Sequence, residues 1–233
     1  MNESLKAIRP SGTKFGYCIN CYNGCEHGCL YCYGRIARKM KATKWALAEP
    51  RLSIVDSLKR DIQKLNSDPL AKQDIKDIMV CSVTDCYQPK ELEHRLTRQV
   101  VELLRANDLP FTILTKSVLV LRDMDVFSGY DKCRVGLTIT TLDENYRKQL
   151  ELDTSRTCDK ILAIEELHKH GVSTYCSVEP ITPCPASNPK EIVKRFAPGV
   201  VDLFEFGMWT PKIQKAIPML RYDEKYLVSV MQD

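Results

Sequence analysis

The chain has 233 residues, with 34 Lys plus Arg against 30 Asp plus Glu and a formal net charge of +4. That length suits one sizeable α/β domain and is too short for two comfortable ones; the mild charge permits an anionic partner without requiring one. Hydrophobic residues at 44%, no stretch able to cross a bilayer and no apolar segment in the opening residues predict a cytosolic protein rather than a secreted or membrane one.

Eleven cysteines in a reducing compartment do not read as a disulfide framework. Five of them crowd into residues 18–32 and the other six are scattered. Crowded thiols of this kind point to metal or redox chemistry. After this cysteine loop (18–34), helix-like and strand-like segments alternate. "SIVDSLKRDIQKL" reads as a helix and "IKDIMVCSVTD" as a strand. "ELEHRLTRQVVELLRAND" reads as one helix, with Leu96, Val100, Leu103 and Leu104 on an apolar face. "PFTILTK" is the next strand, "LVLRDMDVF" a short helix and "CRVGLTITT" a strand. "TSRTCDKILAIEELHKHG" is a helix that Gly171 is placed to cap. "VSTYCSVEPI" follows as a strand. "NPKEIVKRF" is a helix with Asn188 as N-cap, Pro189 in its first turn and Glu191 completing a capping box. "VVDLFEFGM" is a strand, and a last helix is expected over 211–232.

Strand–helix alternation implies right-handed crossovers and a parallel sheet. Buried parallel strands are usually almost continuously apolar, and these are not. Val135, Leu137 and Ile139 alternate with Gly136, Thr138 and Thr140, and Tyr175, Ser177 and Glu179 alternate with Cys176 and Val178. A polar inner face is costly to bury unless it binds something. The expected architecture is a barrel or part-barrel over about 50–210 with its site at the C-terminal strand ends. An open doubly wound sheet is the alternative.

Within "GCEHGCLYCYGR", Cys25, Cys29 and Cys32 could hold three irons of a [4Fe–4S] cube and leave the fourth iron free for another ligand. Gly24 and Gly28 flank ligands where the backbone must turn tightly. The competing reading is a structural zinc site on Cys18, Cys21, Cys29 and Cys32, two paired knuckles that leave Cys25 unexplained. Spacing alone leaves both open.

The string "NCYNGCEHGCLYCYGR" resembles the cluster loop of radical S-adenosylmethionine (SAM) enzymes, in particular the spore photoproduct lyase-like branch. "TDCYQPKE", "TKS", "LRD" and "ITTLDE" resemble that branch's successive strand-end motifs, in order from about Asn20 to Pro183. The resemblance implies a partial (β/α)6 barrel of the TIM type, a [4Fe–4S] cluster on Cys25, Cys29 and Cys32, and SAM as cofactor. It also implies reductive cleavage of SAM to a 5′-deoxyadenosyl radical that abstracts hydrogen from a substrate. It places Tyr31 near the adenine, Thr84 and Asp85 at the methionine end, Lys116 at the carboxylate and Thr138 at the ribose or carboxylate. A flavodoxin or ferredoxin is the reductant expected for such a protein. Two positions depart from the pattern: Cys21 and Cys86 stand where proline is usual. Either Cys18, Cys21 and Cys86 bind a second metal or donate hydrogen atoms, or these thiols pack as small hydrophobes.

The substrate is less legible. "GRIARKMKATKW" sets five basic residues before Trp45, a pattern that suits phosphates and a stacked base or, equally, a solvated helix face. The lyase branch suggests nucleic acid, although a shared scaffold is weak evidence for a shared substrate. Glu179 and Glu205 are candidate lumen carboxylates, or partners of Arg134 or Lys116. If the metal were zinc, the chain would be a nucleic-acid-binding protein without catalysis.

Overall fold

Short apolar strands returning through helices dictate the architecture. The structure, a computed structural model, describes residues 5–12, 15–182 and 184–206. Nine strands are present among them: β1 (Arg9–Pro10), β2 (Tyr17–Ile19), β3 (Tyr22–Asn23), β4 (Glu49–Pro50), β5 (Ile78–Val80), β6 (Phe111–Thr115), β7 (Cys133–Thr138), β8 (Ser173–Val178) and β9 (Leu203–Phe206). Seven form one sheet in the order β1-β2-β5-β6-β7-β8-β9, and β3 pairs with β4 apart from it. Within the seven-stranded sheet every pairing from β2 to β9 is parallel and β1 runs antiparallel against β2; the separate β3–β4 pair is antiparallel. The fold is therefore the partial barrel expected, with six parallel strands and not an open doubly wound sheet. Its first parallel strand, β2, contains Cys18, so the segment read as a cysteine loop begins inside the sheet.

The outer layer forms because the helices carry apolar stripes. Leu58, Ile62 and Leu65 of the helix Ile54–Asn66 and Leu96, Val100 and Leu104 of the helix Leu96–Ala106 are buried in the same core as Ile78, Val80, Ile113, Val135 and Leu137 of the sheet. Burying each such side chain contributes roughly 1.5–3 kcal/mol. On the lumen side the packing is polar and close. Gly136 pairs in register with Tyr175, and a Cβ at Gly136 would collide with the Tyr175 ring. The sequence places glycine there because the neighbouring strand's aromatic occupies the space.

Three helical expectations change. The single helix over 91–108 is two, Lys90–His94 and Leu96–Ala106, divided at Arg95 in a left-handed conformation (φ 49°). The cause is Glu91: its buried carboxylate accepts the N–H groups of Thr97 (2.9 Å) and Arg98 (3.2 Å), capping the second helix from outside. Glu191 does not close a capping box, because its carboxylate pairs with Lys194 at 2.7 Å; Asn188 alone accepts from Lys190 N–H. A helix at Glu144–Leu150, absent from the sequence reading, is capped by Asp143. The helix expected over 211–232 lies outside the described residues. Gly171 follows its helix with φ 71°, as its capping role requires. Among the described residues no helix is long and apolar enough to cross a membrane.

The segment before β1 is held by one carboxylate. Asp61, buried on the helix Ile54–Asn66, accepts the N–H groups of Lys6, Ala7 and Ile8 at 2.6–3.1 Å. Replacing Asp61 by Ala strands those donors and is expected to cost about 2–4 kcal/mol. Urea denaturation will show this as a lower midpoint with the cooperativity retained.

Candidate active site

The C-terminal ends of the parallel strands and the loop after β2 enclose a cavity of about 600 Å3. The cysteine loop folds over one side of it. Gly24 (φ 96°) and Gly28 (φ 63°) take the left-handed turns expected of them, and a Cβ at Gly24 would strike the Trp45 carbonyl. That carbonyl accepts the Cys25 N–H at 2.9 Å. Gln88 braces the loop from below, accepting from Glu26 N–H (2.9 Å) and donating to Gly24 O (3.3 Å). Leu30 N–H bonds Leu150 O at 2.9 Å, which docks the loop on the helix Glu144–Leu150.

Cys25, Cys29 and Cys32 all line the cavity, and so do Tyr31, Thr84, Asp85, Lys116, Thr138, Glu179 and Glu205. Residues separated by up to 180 positions thus share one enclosure. Cys86 does not line it: this thiol is fully buried and reaches Leu114 O at 3.8 Å. A fourth cysteine does line it: Cys81, which carries no motif in the sequence. Its backbone is left-handed (φ 61°), a conformation costing a residue with a Cβ on the order of 1 kcal/mol or more.

The thiols divide into two groups. Cys21 N–H donates to Cys81 Sγ at 3.3 Å. Burial opposes ionisation of Cys81, yet hydrogen bonds from the Cys21 and Cys86 thiols leave it well below its ordinary value, while Cys21 and Cys86 are raised. Cys21 and Cys86 are thus partners of Cys81 and not of Cys18. Among the described residues no three His, Cys, Asp or Glu side chains converge on a point that could hold a single metal ion. Neither the zinc set Cys18, Cys21, Cys29 and Cys32 nor a second metal on Cys18, Cys21 and Cys86 is assembled. In a cube each thiolate binds a different iron, so its ligands do not have to meet at a point.

Two carboxylates organise the cofactor side. Asp85 accepts from Tyr87 N–H (2.8 Å), Thr115 Oγ1 (2.6 Å) and Lys116 N–H (2.8 Å), and its Oδ2 lies 3.2 Å from His27 Nε2. Burial would raise its pKa, but His27, Thr115 and Lys116 N–H hold it at about 2. His27 is fixed on its other side, with Nδ1 2.8 Å from Asp153 O. Glu151, fully buried, bonds the Tyr31 hydroxyl and accepts from Thr140 Oγ1 (2.7 Å). Its carboxylate also lies 3.3 Å from Lys160 Nζ and 3.8 Å from Lys116 Nζ. Burial works against the Glu151 charge, yet Lys160 and Lys116 hold its pKa well below the usual carboxylate range; burial lowers that of Lys160. Lys116 pairs with Glu151, and its ammonium sits 5.4 Å above the Tyr31 ring. His27, Glu151 and Lys160 were not singled out from sequence. His27 lies inside the cysteine motif and was the one of the three with a visible signal.

A family profile described as the radical SAM superfamily matches residues 19–183. The chain belongs to the radical SAM superfamily. It is 33% identical over 189 residues to an uncharacterized protein of Methanocaldococcus jannaschii, spanning 78% of this chain and 66% of that protein. An uncharacterized protein of Mycobacterium tuberculosis is 22% identical over 186 residues, 76% of this chain and 53% of its own length. The chain thus spans between about half and two thirds of these relatives. Among solved structures, spore photoproduct lyase with bound AdoMet and dinucleoside spore photoproduct superposes with a TM-score of 0.67 at 18% identity, over 95% of this chain and 66% of the lyase. SuiB of Streptococcus suis, bound to its precursor peptide SuiA, gives 0.66 at 13% identity, over 92% of this chain and 44% of SuiB. These likenesses concern the fold.

The radical SAM cofactors, a [4Fe–4S] cluster and SAM, suit the residues present. Three thiols line one wall, and burial pushes Cys25 and Cys29 up, so each needs a cation to be held as thiolate. Beside them Thr84 Oγ1 and Ser177 Oγ are buried, line the cavity and have no hydrogen-bond partner among the described residues. Orphaned hydroxyls aimed into a cavity are what a polar ligand would satisfy.

Removing Glu151 should leave Lys160 as an uncompensated buried cation. Glu151→Ala is expected to destabilise the metal-free chain by about 3–5 kcal/mol, and adding Lys160→Met should recover most of it. Urea titration of the two variants measures the difference.

Proposed function

We propose that the chain is a radical SAM enzyme whose cluster is held by Cys25, Cys29 and Cys32 and whose SAM occupies the same 600 Å3 cavity. The observation that carries this reading is the meeting of those three thiols with Lys116, Thr84 and Thr138 in one enclosure. When bound, the two cofactors supply one-electron cleavage of a carbon–sulfur bond and hydrogen abstraction from a substrate.

The chain's own residues bind, orient and exclude water. Lys116, with its main chain fixed by Asp85 and its ammonium beside Glu151, suits the carboxylate of the methionine moiety. Thr84 offers an unpartnered hydroxyl at the methionine end, alongside Asp85. Thr138, nearly fully buried at the end of β7, suits the ribose or carboxylate region, and Tyr31 the adenine. Phe15, Met79, Val83 and Leu114 supply apolar lining that limits water near a reactive carbon centre. Ser177, Glu179 and Glu205, contributed by β8, the turn after it and β9, line the same cavity and suit the substrate side. The reductant is a flavodoxin or ferredoxin, and nucleic acid is the substrate class suggested by the lyase. The site has its chemistry in the cytosol, where buried thiols stay reduced.

Anaerobically reconstituted protein is expected to be brown with about four irons per chain, and to release 5′-deoxyadenosine with dithionite and SAM. Cys29→Ala is expected to release none, and equal release from that variant would refute the assignment. Lys116→Ala should retain the iron while weakening SAM binding by about tenfold or more, since a charge-assisted bond contributes about 1.5–3 kcal/mol. Equilibrium dialysis with labelled SAM reads this directly.

A further inference from the structure

The chain's positive charge is concentrated in one place. Residues 35–44 contain Arg35, Arg38, Lys39, Lys41 and Lys44 and no acid; +4 for the chain less +5 for this segment leaves −1 elsewhere. Arg38, Lys39, Lys41 and Lys44 are exposed, and none has a carboxylate partner among the described residues. At the two ends of the segment, Tyr33 and Leu47 are exposed by 51% and 60%. Unpaired cations with exposed apolar neighbours have the character of a docking face for an acidic surface.

Its position says what the partner does. The segment is two short helices, Tyr33–Ala37 and Ala42–Trp45, and both are fastened to the cluster loop. Cys32 is the residue that precedes the first, and Trp45, which ends the second, accepts the Cys25 N–H. Trp45 itself is 5% exposed, with its ring beside Gly34, so the aromatic that could have stacked a base is part of the core. That removes the stacking half of a single-stranded nucleic-acid platform and leaves charge beside two of the three thiols.

We infer that the 35–44 face docks an acidic iron–sulfur electron carrier of the ferredoxin type, which delivers its electron to the cluster through the adjoining loop. This rests on the cluster assignment proposed above. One electron leaves the donor's reduced [2Fe–2S] centre, which goes from 1+ to 2+. A [4Fe–4S] centre held by Cys25, Cys29 and Cys32 would go from 2+ to 1+, with no bond or proton changing. A plant-type ferredoxin, at roughly −400 mV, is a donor of the right chemistry.

The test compares two reductants on reconstituted protein. Arg38→Glu/Lys41→Glu/Lys44→Glu is expected to slow cluster bleaching by reduced ferredoxin at low salt by about tenfold or more, because steering charge changes association rates by 10–10³. Bleaching by dithionite should change less than about twofold, and the wild-type ferredoxin rate should fall as salt shortens the Debye length from about 30 Å toward about 3 Å. The three side chains are exposed, and an unchanged thermal melting curve will show that the variant folds. Equal ferredoxin rates in variant and wild type overturn the proposal. So does loss of single-stranded oligonucleotide binding with no change in ferredoxin rate, which would make the face a nucleic-acid surface. Absence of any dithionite bleaching in the wild type would instead refute the cluster. Labelled-ferredoxin anisotropy on the as-purified chain then still decides docking: weaker binding by the triple variant supports it, and equal binding overturns it.

Discussion

One carboxylate, Asp85, couples three parts of the molecule. It takes donors from its own loop after β5, from Thr115 and Lys116 at the end of β6, and lies against His27 of the cysteine loop. In a low-dielectric interior each of these bonds is stronger than in water, and each would be costly to leave unmade. The positions of the cysteine loop and of Lys116 are therefore not independent. Glu151 adds a second constraint on the same residue, since it holds the Lys116 ammonium while Asp85 holds its main chain. Two buried carboxylates from distant parts of the sequence fix one lysine.

The polar lumen follows from this need. Thr115 and Thr140 look like misplaced core residues in sequence, yet each donates to one of the two carboxylates. Their hydroxyls are structural. The hydroxyls of Thr84 and Ser177, which line the cavity, are buried without partners among the described residues. Desolvating a hydroxyl unpaired costs roughly 1–3 kcal/mol on mutational scales, a cost a fold retains where a ligand relieves it. Partnered and unpartnered hydroxyls thus separate the scaffold of the site from its binding surface.

The parallel strands and most helix faces were legible in the sequence because local period and end signals decided them. The cluster loop was legible because three cysteines, two glycines and an aromatic occur within a few residues. Thr84, Asp85, Lys116 and Thr138 were named through the resemblance of strand-end motifs to a family's, and the fold brings all four to one cavity. What escaped depends on long-range pairing. Nothing local tells Glu151 to leave its helix face and meet Lys160, nor Glu91 to cap the helix beyond Arg95. Trp45 failed differently: its basic neighbours suggested a surface role, while the tight turn at Gly24 and the missing side chain of helical Gly34 give it room in the core. Cys81 carried no signal beyond being a cysteine at the end of a strand.

The charge distribution gives the cluster loop two unlike sides. Toward the lumen stand Asp85, Glu179 and Glu205, with the Lys116 ammonium and the His27 imidazole among the described lining residues, each beside a carboxylate. Toward solvent stands a run of unpaired cations. A buried charge keeps its form through fixed partners, whereas an exposed unpaired one interacts with whatever approaches, within a Debye length of about 8–10 Å. Electron entry from the outer face would leave the lumen closed around the reacting atoms.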